Sequence, residues 1–153
     1  MRNLFLIGTI LTFISCDSPV VFEKYKNFED EKWNTDSVIN FDYIINDTIS
    51  KYKFELNLRH SVDYEYQNLF LFITFESTRD TIELLLADKR GRWFGNGIGD
   101  MREVKTLLKE RQSFFTKGSK SIQIEQAMRY GPKQKITNLN FIDAVGIRII
   151  KTQ

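Results

Sequence analysis

Residues 51–59 read Lys-Tyr-Lys-Phe-Glu-Leu-Asn-Leu-Arg. Tyr52, Phe54, Leu56 and Leu58 alternate with Lys51, Lys53, Glu55, Asn57 and Arg59. On a helix, apolar residues two apart would scatter around the axis; on a strand they line one face. The segment is therefore a strand with one face on a core and one toward solvent. A single strand cannot cover its own apolar face, so others must join it.

They are present. Ile39, Phe41, Tyr43 and Ile45 alternate with Asn40, Asp42 and Ile44, and Asn46-Asp47 supplies a turn. Asn68 to Glu76 is apolar at successive positions, as in a central strand. Thr81–Ala87, the turn Asp88-Lys89-Arg90-Gly91 and the return Arg92-Trp93-Phe94 predict a hairpin over 80–94. Asp100 can cap a short helix over 101–111, where Val104, Leu107, Leu108 and Arg111 fall at helical spacing. Further strands are expected near 120–128, ending at Tyr130-Gly131-Pro132, and near 141–150. Thirteen phenylalanines suit strands. Seven or eight strands with at most one short helix predict a mainly all-β chain. The expected architecture is a single antiparallel β-sandwich, jelly-roll-like rather than immunoglobulin-like.

The first segment has a different character. Arg2 precedes an apolar run over Leu4–Ile14, closed by Ser15-Cys16. The run is too short to span a bilayer, and its order is that of a secretory signal. Cys16 is the only cysteine in the chain. An odd cysteine in an exported protein calls for a reason. Phe13-Ile14-Ser15-Cys16 supplies one: a bulky apolar residue three before the cysteine and a small one just before it suit a lipoprotein signal peptidase. The expected organisation is a cleaved signal (1–15), a lipidated tether and lead-in segment (16–35) with a first edge strand at Val20-Val21-Phe22, and a β-sandwich domain (36–153). Lipid on the Cys16 thiol, with a further acyl chain on its amine, would hold the chain on a membrane.

Little points to chemistry. The formal net charge of +2 argues against nucleic acid as a partner. His60 is the only histidine and no nucleophile elbow flanks it; it reads as a solvated loop residue. Zinc spacing is absent. Asp63 and Glu65, with Tyr64 and Tyr66, read as a solvated acidic loop over packed tyrosines. Gly95-x-Gly97-x-Gly99 lacks the βαβ frame of a phosphate loop. No catalytic residue, metal site or cofactor is expected. Trp33 and Trp93 are either core residues or aromatic contacts for a polysaccharide or a partner. Lys53 and Arg59, on the polar face of the 51–59 strand, mark a candidate interaction surface. Asp36-Ser37-Val38, Asp47-Thr48-Ile49 and Asp80-Thr81-Ile82 share the form of an O-glycosylation acceptor, which turns preceding strands also produce.

The residues together resemble the GldH family of gliding-motility lipoproteins. The resemblance covers most of the mature chain. It rests on Cys16-Asp17-Ser18, Phe22-Glu23-Lys24-Tyr25, Trp33-Asn34, Asn57-Leu58-Arg59 and Tyr66-x-Asn68-Leu69-Phe70-Leu71. It continues through Ala87-Asp88-Lys89-x-Gly91, Gly95-x-Gly97, Gln126-Ala127-Met128-Arg129 and Val145-Gly146-Ile147-Arg148-Ile149. It implies a non-enzymatic envelope lipoprotein needed for gliding and linked to type IX secretion. The expected location is the outer membrane, and the expected partners are other envelope proteins of the gliding machinery. Of the family's site residues only the lipid site transfers, onto Cys16. A carbohydrate-binding lipoprotein of the cell surface is the alternative.

Overall fold

A computed structural model describes residues 19–132 and 135–152. The signal segment and Cys16 lie outside the described residues.

The described residues form eight long strands and two short ones. In order they are β1 (Val20–Asn27), β2 (Lys32–Asn34), β3 (Ile39–Ile45), β4 (Lys51–Ser61) and β5 (Asn68–Phe75). Then follow β6 (Thr78–Leu85), β7 (Met101–Gln112), β8 (Gly118–Gln126), β9 (Asn138–Asn140) and β10 (Ile142–Thr152). A single 3-10 turn, Glu29–Glu31, stands before β2. One sheet has the order β1-β10-β4-β7 and the other β3-β8-β5-β6, while β2 and β9 form a short separate ribbon.

All pairings are antiparallel, and they nest: β1 with β10, β3 with β8, β4 with β7, β5 with β6. This is one long hairpin of four strand pairs. Its wrapping brings β10 against β4 and β8 against β5. That connectivity is a jelly roll, as the sequence predicts.

Between the sheets lies one aromatic-rich core. Phe41, Phe54, Leu56, Leu58, Leu69, Leu71, Ile122 and Ile124 are almost fully excluded from solvent. The alternation in β3 and β4 is realised as predicted, with burial switching at every residue of β3. Phe54 sits at the centre, edge-on to Phe75 at 4.9 Å and to Tyr43 at 5.6 Å, and such tilted ring pairs add to burial. Val20-Val21-Phe22 begins an edge strand, as expected, and the strand runs on to Asn27. Residues 20–27 of the lead-in segment thus join the sandwich, and residues 32–34 form the separate ribbon with β9.

Two expectations are corrected. The helix over 101–111 is a strand: β7 pairs with β4 from Met101 opposite Ser61 to Gln112 opposite Tyr52. Its Met, Arg, Glu, Lys, Leu and Gln are good helix formers, but the free edge of β4 overrides that preference. Val104, Thr106 and Leu108 turn inward relative to Lys105, Leu107 and Lys109. The hairpin also shifts. Residues 78–85 pair with β5 around Glu76-Ser77, not with residues 92–94. The turn at Asp88–Gly91 does form, closed by Gly91 N–H to Asp88 O at 2.9 Å, but it leads only to a single bridge between Ala87 and Trp93. Glu76 adopts φ 55, a left-handed turn without glycine or asparagine to announce it.

Phe54→Ala should cost roughly 3–5 kcal/mol of unfolding free energy, because three neighbouring rings cannot collapse into the space left. Urea unfolding followed by tyrosine and tryptophan fluorescence checks this.

Candidate functional site

The outer face of the β1-β10-β4-β7 sheet is built around a missing side chain. Tyr25 on β1, Gly146 on β10, Asn57 on β4 and Lys105 on β7 form one cross-strand row. A Cβ on Gly146 would stand 2.6–2.9 Å from ring atoms of Tyr25. Glycine weakens a strand, and its use at mid-strand marks a close approach. Here it lets the Tyr25 ring lie down across β10, so that Asn57 Nδ2 donates to the Tyr25 hydroxyl at 2.9 Å. Asn57 points outward yet is fully buried beneath that ring.

Arg59, two residues along β4, sets its guanidinium 4.4 Å above the Tyr25 ring centroid. Its Nε donates to Glu103 on β7 at 2.8 Å, and Lys105 approaches the same carboxylate at 3.3 Å. Hydrogen bonding and charge from Arg59 and Lys105 outweigh partial burial and lower the Glu103 pKa. Glu103 in turn raises that of Arg59. In the next row Arg148 lies opposite Glu23 and Glu55, and Lys53 pairs with Glu55. The result is a flat, polar, mutually braced platform across four strands. Individual exposed pairs contribute little stability; their effect is to fix where the charges stand.

Lys53 and Arg59 both belong to this face, as the alternation predicts. The alternation also puts Asn57 on this face, but sequence reasoning did not single out Tyr25, Glu103, Gly146 or Arg148 as site residues. The signal available was the mid-strand glycine in Val145-Gly146-Ile147.

Trp33 is elsewhere. It is fully buried, stacked on Phe28 at 4.9 Å, with its indole N–H directed at Ser37 O at 3.4 Å. It presents no surface to a ligand. Trp93 is half-buried and packs 4.9 Å from the His60 ring.

His60 is a correction to the loop reading. β4 runs on to Ser61, so His60 falls on the inward side of a strand and is fully buried. Its Nδ1 lies 2.8 Å from Ser61 O, so Nδ1 carries the proton, and Nε2 has no hydrogen-bond partner among the described residues. Burial pushes its pKa down, and nearby Arg102 adds to this.

Gly95 and Gly97 serve backbone approach. A Cβ on Gly97 would lie 1.8 Å from Met101 O, and one on Gly95 2.2 Å from Glu103 O. Asn96 between them exchanges two backbone hydrogen bonds with Glu103, which caps part of the β7 edge. A strand, not a helix, follows this loop. Among the described residues no group of three or more acidic, histidine or cysteine side chains could hold a metal ion.

Two outcomes follow. Gly146→Ala should displace Tyr25 and break both its contacts, destabilising the chain by about 1–3 kcal/mol; thermal unfolding measures it, and Tyr25→Ala in the same background should recover part of the loss. The second concerns pH. Above about 6.5, the usual histidine value, His60 is neutral folded and unfolded. Below it, the unfolded chain takes up a proton that the folded chain resists, so stability falls with falling pH until the lower folded pKa is passed. His60→Phe should remove that component of the slope between about pH 7 and 5.5, as read by urea unfolding at each pH.

A family model described as GldH lipoprotein matches residues 20–149. A curated relative from Christiangramia forsetii, "Gliding motility lipoprotein GldH homolog", is 36% identical over 162 aligned residues, covering 99% of each chain. "Gliding motility lipoprotein GldH" of Flavobacterium johnsoniae is 37% identical over 153 aligned residues, covering 96% of this chain and 94% of its own. The match spans both sheets and the platform between Glu23 and Arg148, and the chain belongs to the GldH lipoprotein family.

Proposed function

We propose that this chain is a non-enzymatic lipoprotein of the gliding apparatus. Lipid on Cys16 anchors it, and it works by binding another envelope protein through the outer face of the β1-β10-β4-β7 sheet. One observation carries the reading. Three pieces of sequence that underlie the family resemblance, around Glu23–Tyr25, Asn57–Arg59 and Gly146–Arg148, come together on that one platform. A core needs none of these polar side chains. A partner surface needs them held still, because ordering long charged side chains at the moment of binding costs affinity. The names of both relatives support a gliding role. We further assign the chain to the outer membrane and to the machinery that links gliding with type IX secretion.

The test separates anchor from surface. Cys16→Ser at the native locus should move the protein out of the membrane fraction and stop colony spreading. Arg59→Glu, or Lys53→Glu with Arg59→Glu, should leave it membrane-bound and folded while spreading is lost, since charge reversal at a preformed surface repels its partner. Normal spreading by the charge-reversed strain would sink the platform; membrane retention of Cys16→Ser would sink the anchor.

A further inference from the structure

The two ends of the sandwich differ in how far they stand from the point where the chain enters it at Pro19 and Val20. Val20 pairs with Ile150, Lys51 with Thr152 and Tyr52 with Gln112. The chain therefore enters β1 at the same pole that carries the β3–β4 loop and the β7–β8 loop. Cys16 lies three residues before Pro19, whose carbonyl accepts from Lys151 N–H at 2.7 Å and is thus fixed to the end of the sheet. Three residues span at most roughly 10 Å.

Each of those two loops ends in an apolar side chain held out into solvent. Ile49 is 92% exposed and Phe115 98% exposed. Neither loop is slack. Asp47 accepts from the backbone N–H of Ile49 at 2.8 Å and from the Ser50 hydroxyl at 2.7 Å, and Tyr52 donates to Asp47 O at 2.6 Å. Phe114 is buried among Tyr52, Phe54 and Phe75. Its neighbour Phe115 faces outward. Lys51 donates to Ser113 and ties one loop to the other. Lys117 and Lys120 follow Phe115, and Lys151 pairs with Asp47.

From this we infer that the pole formed by the β3–β4 and β7–β8 loops docks on the bilayer surface, with Ile49 and Phe115 inserted among the lipid headgroups and acyl carbons. The occupant is lipid because a lipidated Cys16 holds this pole within about 10 Å of the bilayer surface. Two rigid apolar tips match an interfacial surface; Lys151 faces Asp47 and Lys120 faces Glu76 at this pole, while Lys51 and Lys117 remain to meet anionic headgroups. The inference rests on Cys16 lipidation. It places the long axis of β4 along the membrane normal, with the opposite pole and its exposed Ile98 roughly 35 Å away from the bilayer, at 3.3 Å per strand residue.

The test uses the full-length lipidated chain in phosphatidylethanolamine–phosphatidylglycerol vesicles. A thioether at Cys16 leaves Ile49→Cys, Phe115→Cys and Ile98→Cys as single thiols for an environment-sensitive fluorophore. Flotation with the vesicles is measured first. In floating protein, probes at 49 and 115 should shift to the blue, be quenched by nitroxide-labelled lipid and resist iodide several-fold better than the probe at 98. Floating protein with all three probes equally open to iodide overturns the docking and leaves the anchor intact. Iodide protection without nitroxide quenching also overturns it, because protein then covers the pole. Failure to float removes the anchor and the docking together.

Discussion

The whole sandwich hangs on β10 lying between β1 and β4. It is the one strand that joins the start of the chain to its middle, pairing with β1 over residues 144–150 and with β4 over residues 142–152. Ile142, Val145, Ile147 and Ile149 are fully buried on its inward side. Its outward side carries Gly146 and Arg148, around which the platform is arranged. Core and surface are thus two faces of one strand. What β10 buries sets the register, and that register aligns Tyr25, Asn57 and Arg59.

The two sheets are exposed at their edges in different ways. β7 is covered along part of its length by Asn96, reached only because Gly95 and Gly97 have no side chains. β6 keeps Arg79, Asp80 and Glu83 along an open edge, charges that discourage pairing with other chains. On the outer surface of that sheet Arg79 lies 4.3 Å over the Phe72 ring and pairs with Glu125. Both sheets therefore shield an outward aromatic with an arginine, but only on the β1-β10-β4-β7 sheet does the covered ring also bury a polar side chain.

Much of the fold was legible because β3 and β4 alternate with a strict period of two, which only a half-buried strand satisfies. Strand count and turn spacing favour a jelly-roll-like sandwich over an immunoglobulin-like one, but the strand order itself is visible only in the pairings. β7 defies its local sequence for a definite reason: Lys, Glu, Leu and Arg at an edge carry helical preference, and local preference has no knowledge of an unpaired neighbour. The burial of His60 is hidden in the sequence because a single polar residue at a strand end resembles the start of a loop. The platform was legible only in part. Alternation put Lys53, Asn57 and Arg59 outward. That Asn57 is nonetheless buried depends on Tyr25, 32 positions away, and on the absence of a side chain at Gly146. Contacts across three strands leave no periodic trace in any one of them.

Nested pairing has a kinetic side as well. The outermost pair, β1 with β10, joins residues more than a hundred positions apart, and such distant closures are slow to form. Until β10 arrives, β1 has no partner and β4 has one unpaired edge. A chain of this design leaves its sandwich open until its last strand is in place. Placing β10 completes the core and the platform together, because its two faces serve both.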